Sequence, residues 1–320
     1  MNISKYIILT LLIFCTARGF SQNQSLEFEH IGTADGLSQI NVNCIIQDSR
    51  GFMWIGTRDG LNKYDGYKFT VYSHSFQDDN TLTNNQIADL VEDKDGNIWI
   101  ATLDGLNKYE RKSGRFIRYL HHDHNPNSVS SNSINKVALD SFGNLWVATQ
   151  KGGLDCLDIK KNRFRHYVHS EKDPNSISDN NVRTVFEDSK HNLWVGTQFG
   201  GLNLFNRADN SFLKFKYREG DVTSISANDI LCIFEDSDHH IWVGTQDKGL
   251  NLFNPQNSAF HRYQHDDKNS NSLSANTIYC INADENGNLW IGTENGGVCV
   301  LEIKSGRFPT LSTMISTKAV

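Results

Sequence analysis

All six tryptophans of this chain sit in one short motif, at Trp54, Trp99, Trp146, Trp194, Trp242 and Trp290, and the steps between them are 45, 47, 48, 48 and 48 residues. A motif returning at a period of this size specifies a repeat architecture, in which each unit buries its apolar faces only against its neighbours. That constraint comes before any reading of single residues.

Each motif is an apolar run closed by a small residue and threonine, as in Trp99-Ile100-Ala101-Thr102 and Trp194-Val195-Gly196-Thr197. Tryptophan, β-branched residues and threonine favour a strand. Upstream lies a second apolar stretch ending in an acid (Ile87 to Asp93, Val182 to Asp188, Ile230 to Asp236), joined to the tryptophan strand by Gly/Asn/Asp turns such as Asp93-Lys94-Asp95-Gly96-Asn97. This is the chemistry of a tight hairpin. A third strand follows a glycine-bearing turn (Gly105 to Tyr109, Gly201 to Phe205), and a fourth carries aromatics three apart: Phe69/Tyr72, Phe116/Tyr119, Phe164/Tyr167 and Phe260/Tyr263. Four short strands per period predict an all-β fold, a β-propeller of four-stranded blades. The tryptophans are expected to fill the space between blades, since an identical place in every copy argues for core rather than for ligand platforms.

The 31 basic and 37 acidic residues give a net charge of −6. No basic cluster is interleaved with aromatics, so nucleic acid is not an expected partner. Residues 1–21 differ from the rest: Lys5 precedes an apolar stretch, Tyr6 to Cys15, too short to span a bilayer, followed by Ala17, Gly19 and Ser21 in signal-peptidase spacing. A signal peptide at 1–21, export to the periplasm, a mature start near Phe20 or Gln22 and no membrane span in this chain are expected. Beyond Cys15 there remain Cys44, Cys156, Cys232, Cys280 and Cys299, an odd number that suits no tidy disulfide framework; Cys44, Cys232 and Cys280 share one place in their blades and read as small buried residues.

His121-His122-Asp123-His124 has zinc-ligand types, but the same place in other copies holds His169-Ser170-Glu171 and His265-Asp266-Asp267, so it reads as a loop after the fourth strand. Asp93 to Asn97 imitates a calcium loop, but the later glutamate is out of register. We expect no metal and no cofactor. The chain has no Gly-x-Ser-x-Gly, no His-Glu-x-x-His and no phosphate-binding glycine loop with lysine, and no catalytic residue is assigned.

With the unit written Ser-x-Asn-x-Ile, an apolar strand ending Glu-Asp, Gly-Asn-Leu-Trp-Val-Gly-Thr and Gly-Gly-Leu-Asn-x-Phe-Asn, the chain resembles the two-component regulator propeller repeat, best in Asn180 to Asn206 and Asn228 to Asn254. Asp35-Gly36-Leu37-Ser38-Gln39 and the segment Gln47 to Leu61 are similar to the start of the periplasmic sensor region of hybrid two-component systems in Bacteroidetes-type bacteria. The resemblance covers about residues 26–308. It implies seven-bladed propellers that respond to oligosaccharides, followed elsewhere in the family by a membrane helix, a histidine kinase and a DNA-binding regulator, none of which is matched here. The expectation is a non-enzymatic, periplasmic ligand-sensing propeller over residues 22–308, with a non-repeat tail at 309–320. A secreted polysaccharide lyase or hydrolase, or a protein-interaction scaffold, is the alternative.

The family expects seven blades where six tryptophan-marked copies are visible. Phe28-Glu29-His30-Ile31 has the spacing of a fourth strand without its first three, so either a seventh blade is missing or this strand closes onto blade six. Pairing with a second propeller, or self-association, would follow from an open ring. Because the chain runs up and down, the loops between strands two and three share one rim with the start of the innermost strand. Residues that differ between copies on that rim are free to serve a ligand: Arg58, Gln150, Lys151, Gln198 and Phe199 from the loops, and Arg183 and Tyr279 from the inner strand, beside Asn135. Amides, charges and aromatic rings of this kind suit saccharide hydroxyls and faces.

Overall fold

The computed structural model describes residues 30–309. The expected leader, the tail beyond Pro309, and Phe28 and Glu29 lie outside the described residues; His30 and Ile31 are in no strand. Six antiparallel sheets follow one another, five of four strands and a sixth of three, each in simple chain order. Their innermost strands are Val42–Gln47, Ile87–Glu92, Ile134–Leu139, Val182–Glu187, Ile230–Glu235 and Ile278–Ala283, and each of the first five packs on the innermost strand of the next blade. The sixth blade ends as blades two and three do: the Phe308 N–H donates to Asn271 Oδ1 at 2.7 Å, as Phe116 does to Asn80 and Phe164 to Asn127.

Five tryptophans, Trp54, Trp99, Trp146, Trp194 and Trp242, are 1–3% exposed and fill the joints between blades. Each packs against the apolar face of the following blade, so that Trp54 meets Leu90, Trp99 meets Val137, and Trp194 meets Ile233. The indole N–H needs an acceptor in so dry a place. It donates to the aspartate six residues upstream: Asp48, Asp93, Asp140, Asp188 and Asp236, at 2.7–3.0 Å. The other oxygen of each carboxylate accepts backbone N–H groups of the hairpin, two and four residues on in Asp93. One side chain therefore shapes the turn and anchors the ring.

The small residue after the tryptophan pair is where blades approach most closely, and a Cβ on Gly196 would stand 2.6 Å from Ile230 Cγ2. The threonine that follows donates to a carbonyl across the next turn, as Thr197 does to Gly201, and its hydroxyl meets Ser178, which Asn203 also contacts. The Asn of Ser-x-Asn binds the chain leaving the previous blade: Asn85, Asn132, Asn180, Asn228 and Asn276 accept from the N–H of residues 74, 121, 169, 217 and 265. These constant positions are structural.

At the two ends of the arc the joint is unfilled. Ile45 of blade one is 54% exposed, whereas its counterparts Leu90, Val137, Val185 and Ile233 are 2–8% exposed. Trp290 of blade six, with no following blade over it among the described residues, is only partly buried. Cys280 on the inner strand of the same blade is exposed, contrary to the expectation of a buried small residue, because no blade among the described residues lies beyond that strand; all five described cysteines are free thiols.

Candidate functional site

The innermost strands share one irregularity. In all six, pairing with the tryptophan strand skips the second residue, between Val42 and Cys44, Ile87 and Asp89, Ile134 and Lys136, Val182 and Thr184, Ile230 and Cys232, and Ile278 and Cys280. Such a bulge leaves one residue unpaired and re-aims its side chain. The bulged residues are Asn43, Ala88, Asn135, Arg183, Leu231 and Tyr279. Copies of one backbone device thus present five different kinds of side chain at one rim.

Asn43 and Asn135 use the position for the fold, since their amides donate to the Ile87 and Val182 carbonyls of the next blade at 2.7 Å. Arg183 does not. Its Nη2 pairs with Asp229 Oδ2 at 3.3 Å, while the buried Arg183 Nε and Asp229 Oδ1 have no hydrogen-bond partner. Burial pushes the Asp229 carboxyl up; Arg183 pulls it down, and the charges of Asp247 and Asp179 push it up again. Buried polar atoms left unmatched are rare in folded proteins, and each calls for a physical explanation such as strain, a functional role or a bound water or ion.

Around this pair the rim is polar. The Asn181 amide donates to Gln198 Oε1 at 2.7 Å, and Asn181 Oδ1 accepts the Lys151 N–H at 3.2 Å. Lys151 holds φ +69, so the loop turns back under its exposed side chain. Asp179 Oδ2 accepts the Phe199 N–H, which leaves the Phe199 ring 68% exposed. Asp247 is tied to the Thr277 hydroxyl at 2.8 Å. Tyr279, 52% exposed, donates to Glu294 Oε1 at 2.8 Å, and that bond to a carboxylate, with burial and the nearby Asp247, raises its hydroxyl pKa.

The structure thus brings Lys151, Arg183, Gln198, Phe199 and Tyr279 onto one rim across blades three to six. Gln150 is engaged by the Ser133 hydroxyl at 3.0 Å. Arg58 stands apart on blade one, its side chain exposed and without a hydrogen bond among the described residues. Sequence reading missed Asp179 and Asp229. The signal was available: the residue after the constant Asn is Gln86, Ser133, Asn181, Asp229 and Thr277 in successive copies, as variable as the loops.

The histidines after the fourth strands are structural. The ring Nδ1 atoms of His74, His121, His169 and His265 all lie at hydrogen-bond distance from the carbonyl eight residues on, in Leu82, Val129, Ile177 and Leu273. Among the described residues no cluster of three metal-ligating side chains occurs.

The family model for the two component regulator propeller matches six segments, 36–59, 81–104, 128–151, 176–199, 224–247 and 272–295. The extracellular domain of a protein described as a hybrid two-component system of Bacteroides thetaiotaomicron superposes with a TM-score of 0.76 at 30% identity, over 88% of this chain and 36% of that one. Histidine kinase P4 of Formosa agariphila is 43% identical over 63 residues, 20% of this chain and 5% of the kinase. The chain therefore spans about a third of the first and a small part of the second. Virginiamycin B lyase of Staphylococcus aureus superposes with a TM-score of 0.62 at 15% identity, over 84% of this chain and 83% of the lyase, a likeness of fold alone.

Proposed function

This chain is a propeller of two-component regulator repeats, akin to extracellular domains of Bacteroides two-component systems, and from that premise we propose that it is the ligand-sensing part of such a system, placed in the periplasm by a leader over residues 1–21. It acts as a binding module rather than an enzyme. The ligand is an oligosaccharide received on the rim of the strand-two-to-three loops. One observation carries the reading: Arg183 Nε and Asp229 Oδ1 are the buried side-chain polar atoms that lack a hydrogen-bond partner among the described residues. A donor and an acceptor side by side suit a pair of sugar hydroxyls, each of which both gives and takes a hydrogen bond. The exposed rings of Phe199 and Tyr279 supply apolar faces beside them.

A panel of neutral and acidic oligosaccharides screened by thermal shift tests this, because a ligand that binds only the folded chain raises its melting temperature. A hit that Arg183→Ala and Asp229→Asn both abolish supports the reading. A hit that neither change affects would overturn the placement, and a panel with no hit would overturn the ligand class.

A further inference from the structure

The opposite rim, built by the hairpins between strands one and two and the turns after strand three, carries a different pattern. At the joint of blades one and two, Arg111 reaches back to Asp48 Oδ2 at 2.9 Å and Glu92 Oε1 at 2.7 Å. At the joint of blades three and four, Arg207 does the same with Asp140 Oδ2 at 3.1 Å and Glu187 Oε1 at 2.7 Å, its guanidinium over the Phe142 and Trp146 rings. At two of the three remaining joints, those of blades two and three and of blades five and six, the glutamate and arginine are replaced together by apolar residues, Leu139 with Ile159 and Ala283 with Ile303, which pack against the core. Acid goes with arginine, and apolar with apolar.

The joint of blades four and five breaks the rule. The acids are present: Glu235 is seated as Glu92 is, on the Ser189 N–H and hydroxyl at 2.7 and 2.6 Å, and Asp188 Oδ2 accepts from Trp194 and Asn192 at 2.9 Å, as Asp140 Oδ2 does from Trp146 and Asn144. The arginine is not, for its place after the third strand holds Pro255. His239 takes up one bond, its Nδ1 3.2 Å from Glu235 Oε1. Nothing replaces the bond to Asp188. A cleft of about 520 Å³ opens there, floored by Trp194, Phe215 and Phe253 and edged by Asp188, His239 and Gln256, with the exposed Lys190 also on its lining. The counterpart beside Arg207 measures about 290 Å³.

We propose that this cleft binds a guanidinium group supplied from outside the chain, seated on Asp188 and over the Trp194 ring as Arg207 is on Asp140 and Trp146. Planar guanidinium is favoured over ammonium because it offers several donors in one plane to the Asp188 carboxylate while stacking on an aromatic face. The site is separate from the rim assigned to the oligosaccharide.

Calorimetric titration of the full chain with N-acetyl-L-arginine methylamide tests the proposal, with the citrulline counterpart as its neutral isostere. Saturable single-site binding of the arginine compound is expected, with the citrulline compound weaker by about tenfold or more, the loss of a charge-assisted bond. Free arginine run alongside tells an amino acid from the side chain of a peptide. Pro255→Arg restores the pattern of blade four, so it is expected to raise the melting temperature and abolish binding; Asp188→Asn, which keeps an acceptor for Trp194, is expected to weaken it about tenfold. No saturable binding, equal binding of citrulline, or binding that survives both substitutions overturns the proposal.

Discussion

A single aspartate per blade carries two tasks, and its removal shows their size. In blade two, Asp93→Ala strands the buried Trp99 N–H and removes the acceptor of the Asp95 and Asn97 N–H groups; the indole alone is worth about 1–3 kcal/mol, read as a lower denaturation midpoint. The acid at this place was visible in every copy as a turn residue, but its bond to the tryptophan was not, because it crosses a hairpin that either residue would join without it. Blade three offers a pH test. There Asp155 stands where other copies have Asn62, Asn107, Asn203 and Asn251, and its buried carboxylate lies 2.6 Å from His166 Nδ1. That bond raises the His166 pKa against the opposing effect of burial. A histidine raised on folding stabilises fully below its ordinary value of about 6.5 and loses that contribution as pH rises through the folded value. Melting temperature is therefore expected to fall over that interval in the native chain, and Asp155→Asn is expected to flatten the fall.

At the scale of the blade, the joints come in two chemistries that are interchangeable only as sets. Arg207→Ile alone leaves Glu187 and Asp140 without their cation in a place they share with Trp146, a loss of about 3–5 kcal/mol for a broken buried pair. Adding Glu187→Leu reproduces the joint of blades two and three and is expected to recover most of the loss, measured as a non-additive double-mutant cycle. Strand order and blade number were legible in the sequence because tryptophan, Gly-Thr and the turn residues repeat at one spacing. The joint chemistry was not, since Arg111 belongs to blade two and Asp48 to blade one, and they meet only where the first blade is laid beside the second. Likewise Arg183 and Tyr279 stood out as variable positions, but the bulge that exposes them is a backbone irregularity within an ordinary apolar strand.

For the molecule as a whole, the arc has an aliphatic face at blade one and a tryptophan face at blade six, the two halves of the joint that recurs between all its blades. Open faces of this kind associate, so sedimentation of the chain is expected to reveal concentration-dependent self-association that Ile45→Lys reduces. The central claim is that the rim of the strand-two-to-three loops, across blades three to six, receives a saccharide. Isothermal titration of the best oligosaccharide from the panel into the native chain and into Arg183→Ala, Tyr279→Ala and Arg115→Ala, the last an exposed residue at the start of the fourth strand of blade two on the opposite rim, decides it. Affinity is expected to fall about tenfold, about 1.4 kcal/mol, in each of the first two, with the melting temperature of free Tyr279→Ala unchanged, and to stay native in the third. Native affinity in the first two with loss in the third would contradict it.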